Sequence, residues 1–140
     1  MIKTRKISLL AVCLLFMTST VVMAQAPVIS AEQVRAFMTG KNKAVLIDAR
    51  TREEYEQAHL PGAISIPADR IKQERARLPK NKSTALIFYC RGLGCTLSRT
   101  AAEGALEMGY TYLMSYQAGM PDWLLKGYPM QKGDKTGKMK

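Results

Sequence analysis

Residues 85–89, Ala-Leu-Ile-Phe-Tyr, form an unbroken apolar run that ends on Cys90 and leads at once into Arg91, Gly92, Leu93 and Gly94. A short run with no polar alternation suits a strand buried on both faces, and such a strand needs helices packed above and below it. A second run, Ala-Val-Leu-Ile at 44–47, stops at Asp48 in the same manner. Between and around these runs lie helix signals. Ser30 with Gln33, and Thr51 with Glu54, are reciprocal capping pairs, which start one helix that Gly40 closes and another that runs to Ala58. Leu60-Pro61-Gly62 is a turn, and Ile64-Ser65-Ile66 is a short strand stopped by Pro67. The charged stretch 69–78, with a narrow apolar stripe of Ile71 and Leu78, predicts a helix. Further helices are expected over 96–108, ended by Gly109, and over 121–126, ended by Gly127, with a strand at 112–114 between them. Strands alternating with helices, without repeats or an internal linker, give one α/β domain with a mostly parallel sheet covered on both faces.

The N-terminus reads as an address. Lys3, Arg5 and Lys6 precede an apolar run from Ile7 to Met17, and Val22-Met23-Ala24 offers a cleavage site for a signal peptidase. The run is shorter than the roughly 20 apolar residues of a membrane span. The expectation is a cleaved signal peptide at 1–24 and a periplasmic protein with no stable membrane span; an uncleaved anchor is the alternative. Cys13 lies inside that apolar run as filler. The folded domain then occupies 25–130, and 131–140, with four lysines and one acid, is expected to be a disordered basic tail. The formal charge of the chain is +10, of which three positive charges fall in the leader. An exported chain whose basic residues are not interleaved with aromatics is not expected to bind nucleic acid. Its charge suits a solvated surface or a small anionic substrate.

Two cysteines remain outside the leader, Cys90 and Cys95. Reactive groups of open parallel sheets gather where strands end and helices begin, which is where Cys90 falls. Gly92 and Gly94 let the following loop curl. A curled loop ending at the helix start near Thr96 gathers N–H groups that favour an anion, and Arg91 adds a full charge. Residues 91–96 (Arg91, Gly92, Leu93, Gly94, Cys95, Thr96) are therefore the candidate anion-binding loop. A thiolate at Cys90 is expected to be stabilised there, its pKa falling from about 8.5 to about 7 or below. The competing reading of Cys90 is a small inert side chain closing a strand. Cys95 is either a small side chain tucked under the loop or a redox partner, since a curled loop can bring two α-carbons within the ~4.4–6.8 Å of a disulfide. His59 is the lone histidine, so neither a Cys–His hydrolase with a spare base nor a histidine-rich metal site is expected, and no cofactor is called for.

Asp48-Ala49-Arg50, Glu54-Tyr55, His59-Leu60-Pro61-Gly62-Ala63 and Ile66-Pro67 resemble the first motif of the rhodanese family. Tyr89-Cys90, the glycine loop, Ser98, Ala101-Ala102, Gly109-Tyr110, Gly119, Trp123 and Gly127-Tyr128-Pro129 resemble the second. The resemblance spans about residues 28–129 and implies a five-stranded parallel sheet with helices on both faces. It also implies a sulfurtransferase in which Cys90 takes a sulfane sulfur from a donor such as thiosulfate and passes it to a thiol or cyanide, without a metal. The Ala101-Ala102 pair falls about two residues later than the family pattern, so the loop is longer. Cys95 and Leu97 stand where an arginine often precedes the hydroxyl residue. This Cys-x4-Cys loop resembles that of certain exported rhodanese-like proteins. Two other functions stay open: a thiol–disulfide redox protein using Cys90 and Cys95, and a non-catalytic module that carries sulfur or binds a partner. A phosphatase-type reaction needs an arginine where Thr96 stands.

Overall fold

The computed structural model describes residues 25–133. Residues 1–24, expected to be a signal peptide, and residues 134–140, part of the expected basic tail, lie outside that range. Four parallel strands, β1 (Val45–Asp48), β2 (Ile64–Ser65), β3 (Leu86–Tyr89) and β4 (Leu113–Tyr116), stand in the order β2-β1-β3-β4. The apolar run at 85–89 is thus internal to the sheet, and all four β3 residues are buried. Register is direct: Ile47 lies opposite Phe88 and Asp48 opposite Tyr89, so β1 and β3 end side by side.

Alternate strand residues supply two cores. Ile47, Leu86, Phe88 and Leu113 pack with Ala101, Ala102 and Ala105 of helix α3 (Leu97–Glu107) and with Ile71. Leu46, Ile87, Tyr89, Met114 and Tyr116 pack with Val34 of helix α1 (Ala31–Thr39) and with Met120 and Trp123 of helix α4 (Gly119–Leu125). The period of two along each strand divides its side chains between the faces, which is why these buried strands are mostly apolar, with Asp48, Ser65 and Ser115 the polar positions. Helix α2 (Arg52–Gln57) completes the set. Both capping boxes form as the sequence requires: Ser30 Oγ accepts from Gln33 N–H, and Thr51 Oγ1 from Glu54 N–H. Among the described residues, no helix is long and apolar enough to cross a membrane.

Three expectations need correction. The fifth strand shrinks to one bridge, Val28 beside Ser115, secured by Ile29 N–H to the Ser115 carbonyl and Ser115 N–H to the Pro27 carbonyl. Pro27 lacks an N–H and Ser30 already caps α1, so no length is left for a strand. The stretch 69–78 forms two 3-10 turns, Ala68–Arg70 and Arg75–Arg77, instead of a helix. It has no side-chain cap, and its two apolar anchors are too few to hold a helix face; Ile71 instead seats against Gly104, where a Cβ would lie 2.5 Å from it. The ordered body also continues past residue 130. Gln131 exchanges main-chain hydrogen bonds with His59, its side-chain oxygen accepts from Gly62 N–H at 3.0 Å, and Gly133 N–H reaches the Glu56 carbonyl.

Candidate active site

The strand ends are locked together before the loop begins. Buried Asp48 accepts from Arg50 N–H at 3.0 Å and Nε at 2.9 Å through one oxygen, and through the other from Arg50 Nη2 at 2.6 Å and the Tyr89 hydroxyl at 2.8 Å. Arg50 also reaches the Ala58 carbonyl, and the Tyr89 oxygen accepts from Leu60 N–H. A charge pair buried this deeply is sustained only by such complete hydrogen bonding. The network ties the end of β1, the end of β3 and the turn at 59–62 into one frame. Arg50 is committed to this frame.

Cys90 follows directly and is fully buried. Its Sγ lies 3.5 Å from Ser98 Oγ and 3.6 Å from the Cys95 carbonyl, and Ser98 Oγ in turn contacts Ser115 Oγ at 3.2 Å. The curled loop forms as expected. Gly92 and Gly94 adopt φ of +123° and +84°, and Cys95 N–H closes a turn onto the Gly92 carbonyl. Gly119 sits beneath it at φ +58°, and its N–H neighbour Met120 donates to the Cys90 carbonyl. A Cβ on Gly119 would stand 2.4 Å from the Cys90 oxygen and 2.8 Å from the Gly92 nitrogen. Leu93, 85% exposed, points away at the tip. Thr96 precedes α3 without a side-chain cap.

The electrostatics differ from the sequence-based expectation. Burial pushes the Cys90 thiol up, and its hydrogen bond with Cys95 adds to that; Ser98 and the main chain of Ser98 and Gly92 pull in the opposite direction without prevailing. The more acidic thiol is Cys95. Burial opposes its ionisation too, but the hydrogen bond with Cys90, the main chain of Leu97 and Arg91 and the Arg91 charge hold it below the ordinary thiol range. Cys90 ends a sealed strand and pays the full desolvation cost of charge, whereas half-buried Cys95 keeps solvent and a cation. Arg91 does not stand over the Cys90 sulfur. It makes a bidentate pair with Glu54, with both contacts 2.7 Å, and this pair lowers the Glu54 pKa.

The residues singled out in the sequence, Cys90 and 91–96, therefore surround one point, but in unequal roles. Gly92 and Gly94 shape the loop, Cys95 faces Cys90, and the side chains of Leu93 and Thr96 are exposed. Ser98 and Glu54, named in the sequence as motif residues, gain their roles at the site here. The contact of Ser98 with the Cys90 sulfur could have been found from helical spacing, since the first turn of α3 points back at the strand end. Glu54 read as a capping and motif residue, with no sign of its pair with Arg91. It caps Thr51 N–H and anchors Arg91 together. His59 hydrogen-bonds the Tyr55 carbonyl through Nδ1 and stacks on the Tyr55 ring, a turn-holding role. Trp123 is buried, donating to the Pro129 carbonyl at 2.9 Å.

A parallel sheet covered on both faces, with a glycine loop closing over a cysteine at the end of an internal strand, defines an α/β protein built around one sulfur. Residues 30–126 match the rhodanese-like domain, and the chain belongs to that family. It is 30% identical over 120 residues to the human thiosulfate:glutathione sulfurtransferase, covering 74% of this chain and 98% of that protein. It is 33% identical over 95 residues to an HTH-type transcriptional regulator of Mycobacterium tuberculosis, covering 68% of this chain but only 41% of the regulator. Among solved structures, an Escherichia coli rhodanese with anions is 34% identical with a TM-score of 0.53, over 64% of this chain and 99% of that one. A human single-domain sulfurtransferase superposes with a TM-score of 0.62 at 26% identity, over 72% and 97% of the two chains.

Proposed function

We propose that this protein is a sulfurtransferase that works in the periplasm, after export on its leader. Cys90 accepts a sulfane sulfur from a small donor anion such as thiosulfate and yields it to a thiol or to cyanide. The observation that carries this reading is the surroundings of the Cys90 sulfur: Ser98 Oγ at 3.5 Å and the main chain of Gly92 and Ser98, all of which favour negative charge there. A terminal persulfide sulfur extends that charge outward from the thiol, and the same donors suit it. The names of the human relatives above, and the relative solved with anions, support the substrate class.

The thiol must ionise to attack. Burial raises the pKa of the Cys90 thiol, so the reactive thiolate is the minor form at neutral pH, and the proton is given up to solvent. The Cys90 thiolate then attacks the outer sulfur of thiosulfate. The bond between the two thiosulfate sulfurs breaks, sulfite leaves with the electron pair, and the persulfide remains. A thiol or cyanide attacks the outer persulfide sulfur and regenerates Cys90. The test is steady-state thiocyanate formation from thiosulfate and excess cyanide. Cys90→Ser is expected to abolish it, a loss of at least about a thousandfold. Thiocyanate formation that survives in Cys90→Ser, or none in the parent with any sulfane donor, overturns the reading.

A further inference from the structure

The Cys95 main chain lies beside the Cys90 sulfur. The loop folds back through the Cys95 N–H to Gly92 carbonyl turn, and glycines at positive φ on either side of Leu93 make that turn possible. The result sets the Cys95 carbonyl 3.6 Å from Cys90 Sγ, so the two cysteines adjoin at the loop. Both cysteines are free. Cys90 is enclosed, while Cys95 is partly exposed, so Cys95 is the face of the pair that solvent and a reductant meet.

We propose that, when no external acceptor intervenes, Cys95 attacks the inner sulfur of the Cys90 persulfide, so that the protein releases the sulfane sulfur as hydrosulfide and is left with a Cys90–Cys95 disulfide. This second activity rests on the sulfur-accepting role of Cys90 given above.

The step balances without any outside oxidant. The Cys95 thiolate forms a bond to Cys90 Sγ as the bond between Cys90 Sγ and the outer sulfur breaks. The outer sulfur leaves as hydrosulfide with that electron pair and the persulfide proton. It gains two electrons, and the two cysteines, thiols at the outset, together lose two. The main-chain groups of Gly92 and Ser98 that favour charge at this point stabilise the departing sulfur. Thiolate character at Cys95 supplies the nucleophile without a separate base. Resetting the pair then takes a dithiol, or two thiols, from outside. The reaction class that must follow is thiol–disulfide reduction, delivered to the exposed Cys95 side.

The experiment uses the full chain, reduced, freed of reductant and handled without oxygen. Thiosulfate is added with no thiol or cyanide. Released hydrosulfide and released sulfite are assayed, and the protein is weighed by mass spectrometry. The expected result is about one hydrosulfide and one sulfite per chain and a product about 2 Da lighter than the reduced chain. Trypsin, which cuts after Arg91, then gives two peptides joined through Cys90 and Cys95. Cys95→Ser is expected to stop at a species about 32 Da heavier, with sulfite released and no hydrosulfide. A parent chain that also stops at the heavier species, with sulfite but no hydrosulfide, overturns this inference while leaving sulfur transfer intact. Neither sulfite nor any mass change in the parent or in Cys95→Ser overturns both. Should Cys95→Ser fold poorly, Cys95→Ala and the linked-peptide result from the parent decide the matter.

Discussion

Replacing Gly119 by alanine puts a methyl carbon where the structure has main chain. That carbon would stand 2.4 Å from the Cys90 carbonyl oxygen and 2.8 Å from the Gly92 nitrogen, and neither atom belongs to a flexible side chain that could swing aside. Two costs add. Holding a non-glycine residue at φ +58° costs about 1–2 kcal/mol. Forcing backbone apart in a packed region costs a further ~1–3 kcal/mol. The sum, about 2–5 kcal/mol, is a large part of the stability of a domain this size, and at ~4–8 °C per kcal/mol it lowers Tm by at least about 8 °C. The displaced atoms are the Cys90 carbonyl and the loop nitrogen beside its sulfur, so thiocyanate formation should fall along with stability. Gly94 is the control. It has φ +84° but nothing within 4 Å of its Cβ position, so Gly94→Ala should show only the conformational part, about 1–2 kcal/mol. Urea titrations of both variants give the comparison. If Gly119→Ala is no less stable than Gly94→Ala, the close approach of the α4 start to the strand end is not what seats the loop.

The raised Cys90 thiol predicts that the rate of sulfur loading climbs about tenfold per pH unit from neutrality through at least pH 8.5, because the reactive thiolate is the minor form throughout that window. Iodoacetamide alkylation mapped by peptide should modify Cys95 at lower pH than Cys90; the reverse order would contradict the assignment. Ser98→Ala removes a partner that favours the thiolate, so the pH–rate profile should move to higher pH while the fold is retained. Tyr89→Phe strips the hydroxyl that donates to Asp48 and accepts from Leu60 N–H, leaving two buried groups a partner short. It should cost about 1–3 kcal/mol in urea unfolding, against no measurable loss if the network is redundant. The Arg91–Glu54 pair lowers the Glu54 pKa, so its contribution to stability is present above the unfolded carboxylate value and is lost as pH falls through the folded one. Glu54→Gln should accordingly flatten the decline of Tm below about pH 4.5.

The features legible in the sequence were those whose causes are local. Ser30 with Gln33 and Thr51 with Glu54 formed their capping boxes because both partners sit three residues apart on one turn. Residues 85–89 became an internal strand because nothing in them tolerates water, and Cys90 followed at the strand end with the glycine loop behind it. Tertiary structure decided what depends on neighbours distant in sequence. The stretch 69–78 had charge and an apolar stripe, yet its shape was set by the seat that Gly104 leaves for Ile71. Gln131 belonged to a basic tail by composition, but its main chain found His59. The order of acidity within the cysteine pair was beyond the sequence for the same reason. Residue type and position gave two thiols near positive groups, but ionisation turns on which sulfur is sealed from water and which one faces Arg91, and only the folded chain assigns those surroundings.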